Sequence, residues 1–232
     1  MRTLLKALLP DREFPLPVLR GPFRGATLHL NPRNSLRKIL GVYEHELNRW
    51  LEAVLPRINT VVDVGANDGY FTFGCAAAFR RLNISGEIIA FEPEESAFEK
   101  LQSSVKNQHT DRVQFSLHNS FVGSKTGSEM ATLDEFLLQR RDKNIAENAL
   151  IKIDVEGAEL EVIAGASRWL NPTNYFLIEV HWDASFLEKL NKIFAERGLK
   201  LKQINQRALP ILGYENRDRE QWWLVSDIPQ TL

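Results

Sequence analysis

The chain has 232 residues, 44% of them hydrophobic and 25% charged, with a formal net charge of −1. That composition supports a packed core and excludes wholesale disorder, and the balanced charge argues against non-specific binding of nucleic acid or of a strongly basic partner. The single cysteine, Cys75, excludes an intrachain disulfide, no Cys/His spacing suits zinc, and Cys75 itself reads as a small buried helix residue.

Taken in chain order, the first ten residues mix leucines with Lys6 and stop at Pro10. The apolar run is too short for a signal peptide or a membrane span. The expectation is a soluble, cytoplasmic protein without stable membrane insertion, a weak amphipathic membrane touch by residues 1–9 being the most contact foreseen. Residues 10–34 hold Pro10, Pro15, Pro17, Pro22 and Pro32 and read as an irregular arm with one short strand near Ala26–Leu30. From Ser35 to Leu55, Tyr43, Leu47, Trp50, Leu51 and Val54 recur at helical spacing, and Pro56 closes the segment. Residues 1–56 are thus expected to form an arm and helix packed on a domain spanning 57–232.

Strands and helices then alternate. Strands are expected at Val61–Val64, Glu87–Phe91, Val113–Leu117, Leu150–Ile153 and Tyr175–Val180. Helices are expected at Tyr70–Arg81, Glu94–Asn107, Leu133–Gln139, Ala158 to about Ala166, and Phe186–Arg197, the last stopped by Gly198. Leu199–Ile204 and Trp222–Val225 follow as two final strands with no helix between them. This order predicts an α/β, doubly wound, mostly parallel seven-stranded sheet with an antiparallel strand at one edge. Ligands of such sheets sit beyond the carboxyl ends of the strands, which directs attention to Asp63, Glu92, His118, Asn119, Asp154 and His181.

The densest signal is Thr60-Val-Val-Asp-Val-Gly-Ala-Asn-Asp-Gly-Tyr-Phe-Thr-Phe-Gly74. An apolar strand ends at Asp63; Gly65 and Gly69 let the backbone turn and approach a ligand closely; a helix then exposes free amides suited to a carboxylate. A dinucleotide site would need Gly-x-Gly-x-x-Gly, whereas here the spacing is Gly-x-x-x-Gly. The acid ahead of the turn favours a cationic cofactor, S-adenosylmethionine (SAM), with Asp63 serving its ammonium directly or through water. Glu92, in Phe91-Glu92-Pro93 after the next strand, is placed to accept from both ribose hydroxyls. His118-Asn119-Ser120, at the third strand end, is placed to contact adenine.

The second motif is Leu150-Ile-Lys-Ile-Asp-Val-Glu-Gly-Ala-Glu159. A buried parallel strand should be almost purely apolar, yet Lys152 and Asp154 alternate with isoleucines and share one face. In Phe176-Leu-Ile-Glu-Val-His181, Glu179 and His181 also share a face. Period-two geometry pairs Lys152 with Glu179 and leaves Asp154 and His181 nearer the mouth. Methyl transfer from a sulfonium needs positioning and charge placement rather than an enzyme nucleophile, and a hydroxyl acceptor also needs a base. Asp154, Glu156 and His181 are the candidates, His181 having the most suitable ordinary pKa. The carboxylates could instead hold a divalent cation, although no metal site is assigned, or Asp154 and Glu156 could merely cap the next helix. Trp222 and Trp223 are read as core before sugar-stacking residues.

These motifs, in this order, resemble FkbM-type methyltransferases: Asp63 to Thr72, Phe91-Glu92-Pro93, Thr132-Leu-Asp-Glu-Phe136, Ile151 to Glu159 and Ile178-Glu-Val-His181, with Gly41-Val-Tyr-Glu44 resembling that family's Tyr-Glu element. The resemblance spans roughly residues 40–182. It implies the class I methyltransferase, Rossmann-like fold and SAM-dependent O-methylation of a small-molecule or glycan hydroxyl, such as that of a sugar or polyketide. It implies cofactor contacts from Asp63, Gly65, Ala66, Asn67, Gly69, Tyr70, Phe71, Glu92 and Pro93. Asn119, Ser120 and Asp154 are further expected contacts, and Tyr43 and Glu44 would close the site. Asp154 and Glu156 would lie beside the transferred methyl, with His181 the third catalytic candidate. A monomer or homodimer is expected. The alternatives are a non-catalytic binding protein that kept the fold, or an NAD-dependent oxidoreductase.

Overall fold

The computed structural model describes residues 9–108, 111–139, 146–181, 184–210, 212–214 and 222–228. Strands β1 (Phe14–Pro17) and β2 (Thr27–Leu30) pair antiparallel. Helix α1 (Leu36–Leu40), a 3-10 turn (His45–Leu47), helix α2 (Asn48–Val54) and a second 3-10 turn (Leu55–Arg57) follow. The remaining elements are β3 (Thr60–Val64), α3 (Tyr70–Leu82), β4 (Gly86–Phe91), α4 (Glu95–Val105), β5 (Val113–His118), β6 (Phe121–Val122), β7 (Met130–Ala131), α5 (Leu133–Gln139), β8 (Ala149–Ile153), α6 (Glu159–Ala164), β9 (Tyr175–Val180), α7 (Ala184–Glu196), β10 (Leu201–Asn205) and β11 (Trp222–Ser226).

Seven strands form one sheet in the order β10-β11-β9-β8-β3-β4-β5. The five strands from β9 to β5 are parallel, and β11 runs antiparallel to both its neighbours. The mostly parallel sheet read from the sequence is therefore present. The antiparallel strand lies one position in from the border, inserted between β9 and β10. Alternate residues of each strand go to opposite faces. Val61, Ile88, Leu150 and Leu177 pack in one cluster with α3 and the arm, and Val62, Ile89, Ile151 and Ile178 pack in the other. That second cluster takes in Leu133 and Leu137 of α5, Val162 and Ile163 of α6, and Leu190 and Phe194 of α7. Cys75 is fully buried on α3, and Trp223 is fully buried in the first cluster, as the sequence reading expected of both.

Two local departures have clear causes. The single helix expected over Ser35–Leu55 is broken, because Gly41 adopts a left-handed φ of 70° and Glu44 one of 50°. A Cβ on Gly41 would meet the Arg20 carbonyl oxygen at 2.0 Å, so the arm crosses where the helix would have continued. The arm is also more ordered than its prolines suggested. Pro15 and Pro17 lie in β1, a strand of a two-stranded sheet, where proline is tolerated because no central ladder needs its missing N–H. Val18, Phe23, Ala26, Leu28 and Leu30 are buried, and they share one cluster with Tyr70, Phe71 and Phe73 of α3. The short parallel pair β6–β7 is too brief to leave a periodic signal. Among the described residues no helix is long and apolar enough to cross a membrane; the membrane touch foreseen for residues 1–9 falls almost wholly outside the described residues.

Candidate functional site

β3 is buried along its whole length, and it ends in the turn that shapes the site. Gly65, Asn67 and Gly69 all take positive φ, at 82°, 48° and 80°. A Cβ on Gly65 would fall 2.0 Å from the backbone oxygen of Asp154, so this glycine allows two chain segments to touch. The amides of Gly65 and Ala66 both bond the Phe91 carbonyl at 3.0 Å. Glu92, 6% exposed, braces the turn: Oε2 accepts from the Asn67 amide at 2.7 Å and Oε1 from the Glu94 amide at 2.9 Å. Each carboxylate oxygen keeps a further lone pair for a ligand hydroxyl. Pro93 precedes the Glu94 N-cap, whose side chain accepts from the Ser96 and Ala97 amides. Asn119 donates its side-chain amide to the carbonyls of Glu92 and Pro93, which ties the β5 end to the β4 end. Ser120 follows at the same rim, half-buried.

Under the turn lies a buried charge cluster. Asp63 on β3 and Lys152 on β8 are register partners. Lys152 Nζ sits 3.4 Å from Asp63 Oδ1 and 2.9 Å from Asp154 Oδ2, and it donates to the Gly65 carbonyl at 3.2 Å. Thr72 of α3 donates to Asp63 Oδ2 at 2.5 Å. Burial pushes the Asp63 carboxyl up, against the pull of Lys152 and the Thr72 hydroxyl. Burial opposes the Lys152 charge too, but Asp154 and Asp63 outweigh it and hold the ammonium above its ordinary range. For Asp154, burial acts upward, yet Lys152 and a hydrogen bond with Glu179 hold the group below its ordinary value. The partners found for Lys152 thus include the acid across the strand pair and the acid two residues along, while Glu179, expected beside Lys152, bonds Asp154. The register explains this: Lys152 faces Leu177, and Ile153 faces Ile178, which carries Asp154 to the level of Glu179. Glu44 acts electrostatically on Lys152 and so joins the cluster from the broken helix.

Aromatic rings flank the turn. Tyr43 meets Tyr70 edge to face at 5.3 Å, and Phe23 of the arm meets both Tyr70 and Phe71 the same way, at 5.3 and 5.6 Å. Lys152 Nζ lies 5.7 Å from the Phe71 ring centroid. Lys38 pairs with Asp68 and lies over Tyr43 and Tyr70. Beyond the β4 and β5 ends, a cavity of about 360 Å³ is lined by Phe91, Ser116, His118, Thr132 and Phe136, with His118 stacked on Phe91 at 4.9 Å. Larger grooves, by Glu99–Leu117 and by Glu46–Asn205, carry none of the acid and histidine side chains described above.

At the β8 and β9 ends the remaining candidates meet. Nδ1 of His181 lies 2.6 Å from Oε1 of Glu159, whose carboxylate is fully buried, and Nε2 lies 3.7 Å from the exposed Glu156. The Glu159 contact raises the His181 pKa, and it outweighs burial, with Glu156 and Asp154 adding to it. Neither Asp154 nor Glu156 caps α6: its N-cap is Ala158, with no side-chain cap bond. Glu159 and Glu179 were not singled out as site residues from the sequence. Glu179 stands out as an acid in an apolar strand, whereas Glu159, between Glu156 and Glu161, looks like any acid at a helix start, and neither pattern says where the acid points.

The Methyltransferase FkbM domain model matches residues 104–201, a span that includes Asp154, Glu156, Glu159, Glu179 and His181 but not the glycine turn. Among curated proteins there is no significant match. Among solved structures, the methyltransferase FkbM from Methylobacillus flagellatus KT is similar at a TM-score of 0.56 and 18% identity, covering 74% of this chain and 44% of that one. This chain therefore spans less than half of that protein's length. M. jannaschii TYW2, solved in complex with AdoMet, has a TM-score of 0.52 at 14% identity over 94% of this chain and 85% of that one. A putative methylase from Haemophilus influenzae has a TM-score of 0.52 at 13% identity over 92% and 98%. At such identities the likeness is one of fold. The chain thus carries a segment similar to the Methyltransferase FkbM domain and shares the mostly parallel, Rossmann-like fold of these methyltransferases.

Proposed function

We propose that this protein is a SAM-dependent methyltransferase acting on a hydroxyl oxygen of a small molecule or glycan. The observation that carries the reading is the charge balance around the glycine turn. Asp63, Asp154 and Glu44 act on the single ammonium of Lys152, so the site favours a ligand that brings positive charge. SAM brings an ammonium and a sulfonium. The residues present fit it: Gly65 and Gly69 open the backbone, Glu92 keeps acceptor lone pairs for ribose hydroxyls, and the cavity beside Phe91 and His118 has room for adenine. When bound, SAM supplies an electrophilic methyl: its C–S bond breaks with the electron pair left on sulfur as the O–C bond forms. The protein's part is to hold the acceptor oxygen in line and draw off its proton. The acid and histidine group of Asp154, Glu156 and His181 is the reacting end in this reading. No SAM-dependent step needs a hydride donor, and the turn lacks the third glycine of a dinucleotide site. The protein is taken to work in the cytoplasm, as a monomer or homodimer.

A thermal-shift comparison of SAM, S-adenosylhomocysteine and NAD tests the cofactor. A ligand present at one hundred times its Kd stabilises by about 2.7 kcal/mol, a readily measured shift. Stabilisation by SAM and its product is expected; stabilisation by NAD alone overturns the reading. Methyl transfer to a pool of hydroxyl-rich acceptors then separates an enzyme from a binding protein.

A further inference from the structure

Asp154 at the end of β8 and Glu179 and His181 at the end of β9 offer ligand atoms that all lie within 4.8 Å of one another. Glu179 is 6% exposed, and so is the His181 side chain. Carboxylates dominate this spot. Asp154, Glu156, Glu159 and Glu179 face His181 and Lys152, and Lys152 is shared with Asp63. Of these acids Glu159 and Glu179 are buried, Asp154 is half-buried and Glu156 is exposed, and holding the first three around Lys152 and His181 is costly unless a further positive charge joins them.

The setting of His181 is a second and separate pointer. Its Nδ1 is engaged by the buried carboxylate of Glu159 at 2.6 Å, which leaves the Nε2 lone pair for a ligand. Nε2 lies 3.7 Å from Glu156, beyond hydrogen-bond length. A buried carboxylate behind the far nitrogen is how metal-ligating histidines are oriented and made more basic. Lys152 holds Asp154 through Oδ2, and the hydrogen bond between Asp154 and Glu179 brings the two carboxyl groups close enough for a cation to take the place of the proton they share.

We infer that Asp154, Glu179 and Nε2 of His181 form a divalent-cation site, with Glu159 as the partner that orients the histidine. Two carboxylates and one imidazole suit Mn²⁺ or Zn²⁺ better than Ca²⁺. Three protein ligands leave three positions open on a six-coordinate Mn²⁺, two of which neighbouring oxygens of an acceptor, as in a vicinal diol, would take. The geometry of the site stands by itself; its purpose, acidifying the acceptor hydroxyl, rests on the methyl-transfer reading. In that role His181 is a ligand, and the acceptor's proton passes to the exposed Glu156 and on to water.

The test is Mn²⁺ titrated into the purified full chain without SAM or acceptor, followed by the loss of the free-ion electron paramagnetic resonance signal. One bound equivalent is expected. His181→Ala and Asp154→Asn should each weaken binding at least tenfold, and Glu159→Gln by roughly ten- to hundredfold, all with wild-type circular dichroism. No saturable Mn²⁺ binding by the wild type, or unchanged affinity in both His181→Ala and Asp154→Asn, overturns the inference. A parallel SAM thermal shift reports separately on the methyl-transfer reading: a chain that binds Mn²⁺ and ignores SAM keeps this site and loses that reading.

Discussion

Asp63 and Lys152 stand opposite each other on adjacent parallel strands, with carboxylate and ammonium 3.4 Å apart and both side chains almost fully buried. The pair lies directly beneath the glycine turn, since Lys152 also bonds the Gly65 carbonyl. It therefore links the stability of the sheet centre to the shape of the site. Removing one member of a buried pair leaves an uncompensated charge, so Lys152→Met should destabilise the protein by about 3–5 kcal/mol. Asp63→Asn in the same chain should recover part of that loss. Urea unfolding of the single and double variants measures both, and additive losses would show that the pair does not act as a unit.

Gly65→Ala places a methyl group against the Asp154 carbonyl in a left-handed backbone. We expect a loss of roughly 2 kcal/mol or more, together with loss of SAM-dependent stabilisation. Gly127→Ala is the control: its Cβ would meet nothing within 4 Å, and its effect should stay within about 0.5 kcal/mol. Equal effects at the two positions would mean that the turn tolerates a displaced β8 end.

Glu92→Ala removes the acceptor of the Asn67 and Glu94 amides. Stability should fall by about 1–3 kcal/mol, without unfolding, and SAM affinity should fall tenfold or more. Calorimetric titration with wild-type affinity would retire Glu92 as the ribose ligand and leave it as a brace.

Phe23→Ala tests the arm. The ring meets Tyr70 and Phe71 edge to face and lies where a Cβ on Gly74 would go. Truncation should cost about 3–5 kcal/mol. It should also weaken SAM binding, because Tyr70 and Phe71 start the helix that follows the turn.

The Glu94 cap supplies a pH signature. Hydrogen bonds from Ser96 and Ala97 depress the Glu94 pKa below its ordinary 4.5. A depressed carboxylate stabilises the fold above its unfolded pKa, and the contribution is lost as pH falls through the folded value. The stability gap between wild type and Glu94→Ala should therefore be full near neutrality and close progressively below pH 4.5. A gap that persists unchanged into strong acid would mean that the charge plays no part.

Much of this protein is local and was readable in one dimension. The strand–helix alternation from β3 to α7, the turn at Gly65 and Gly69 and the acids at the strand ends all rest on periodicity and on residues with restricted backbone choices. Those features determined the fold class and brought Asp63, Glu92, Asp154 and His181 to one end of the sheet. Pairing was decided only in three dimensions. Sequence period two told that Lys152 and Glu179 leave their strands on the same face, but the register across β8 and β9 carried Asp154 to Glu179 and left Lys152 with Asp63 and Asp154. The same holds for Glu159, whose contact with His181 joins a helix start to a strand end 22 residues away, and for the arm, whose prolines hid an ordered strand under α3. A side chain's direction follows from its own residue and neighbours; its partner is set by strands and helices distant in sequence, because burial leaves each charge only the neighbours that the packed sheet provides.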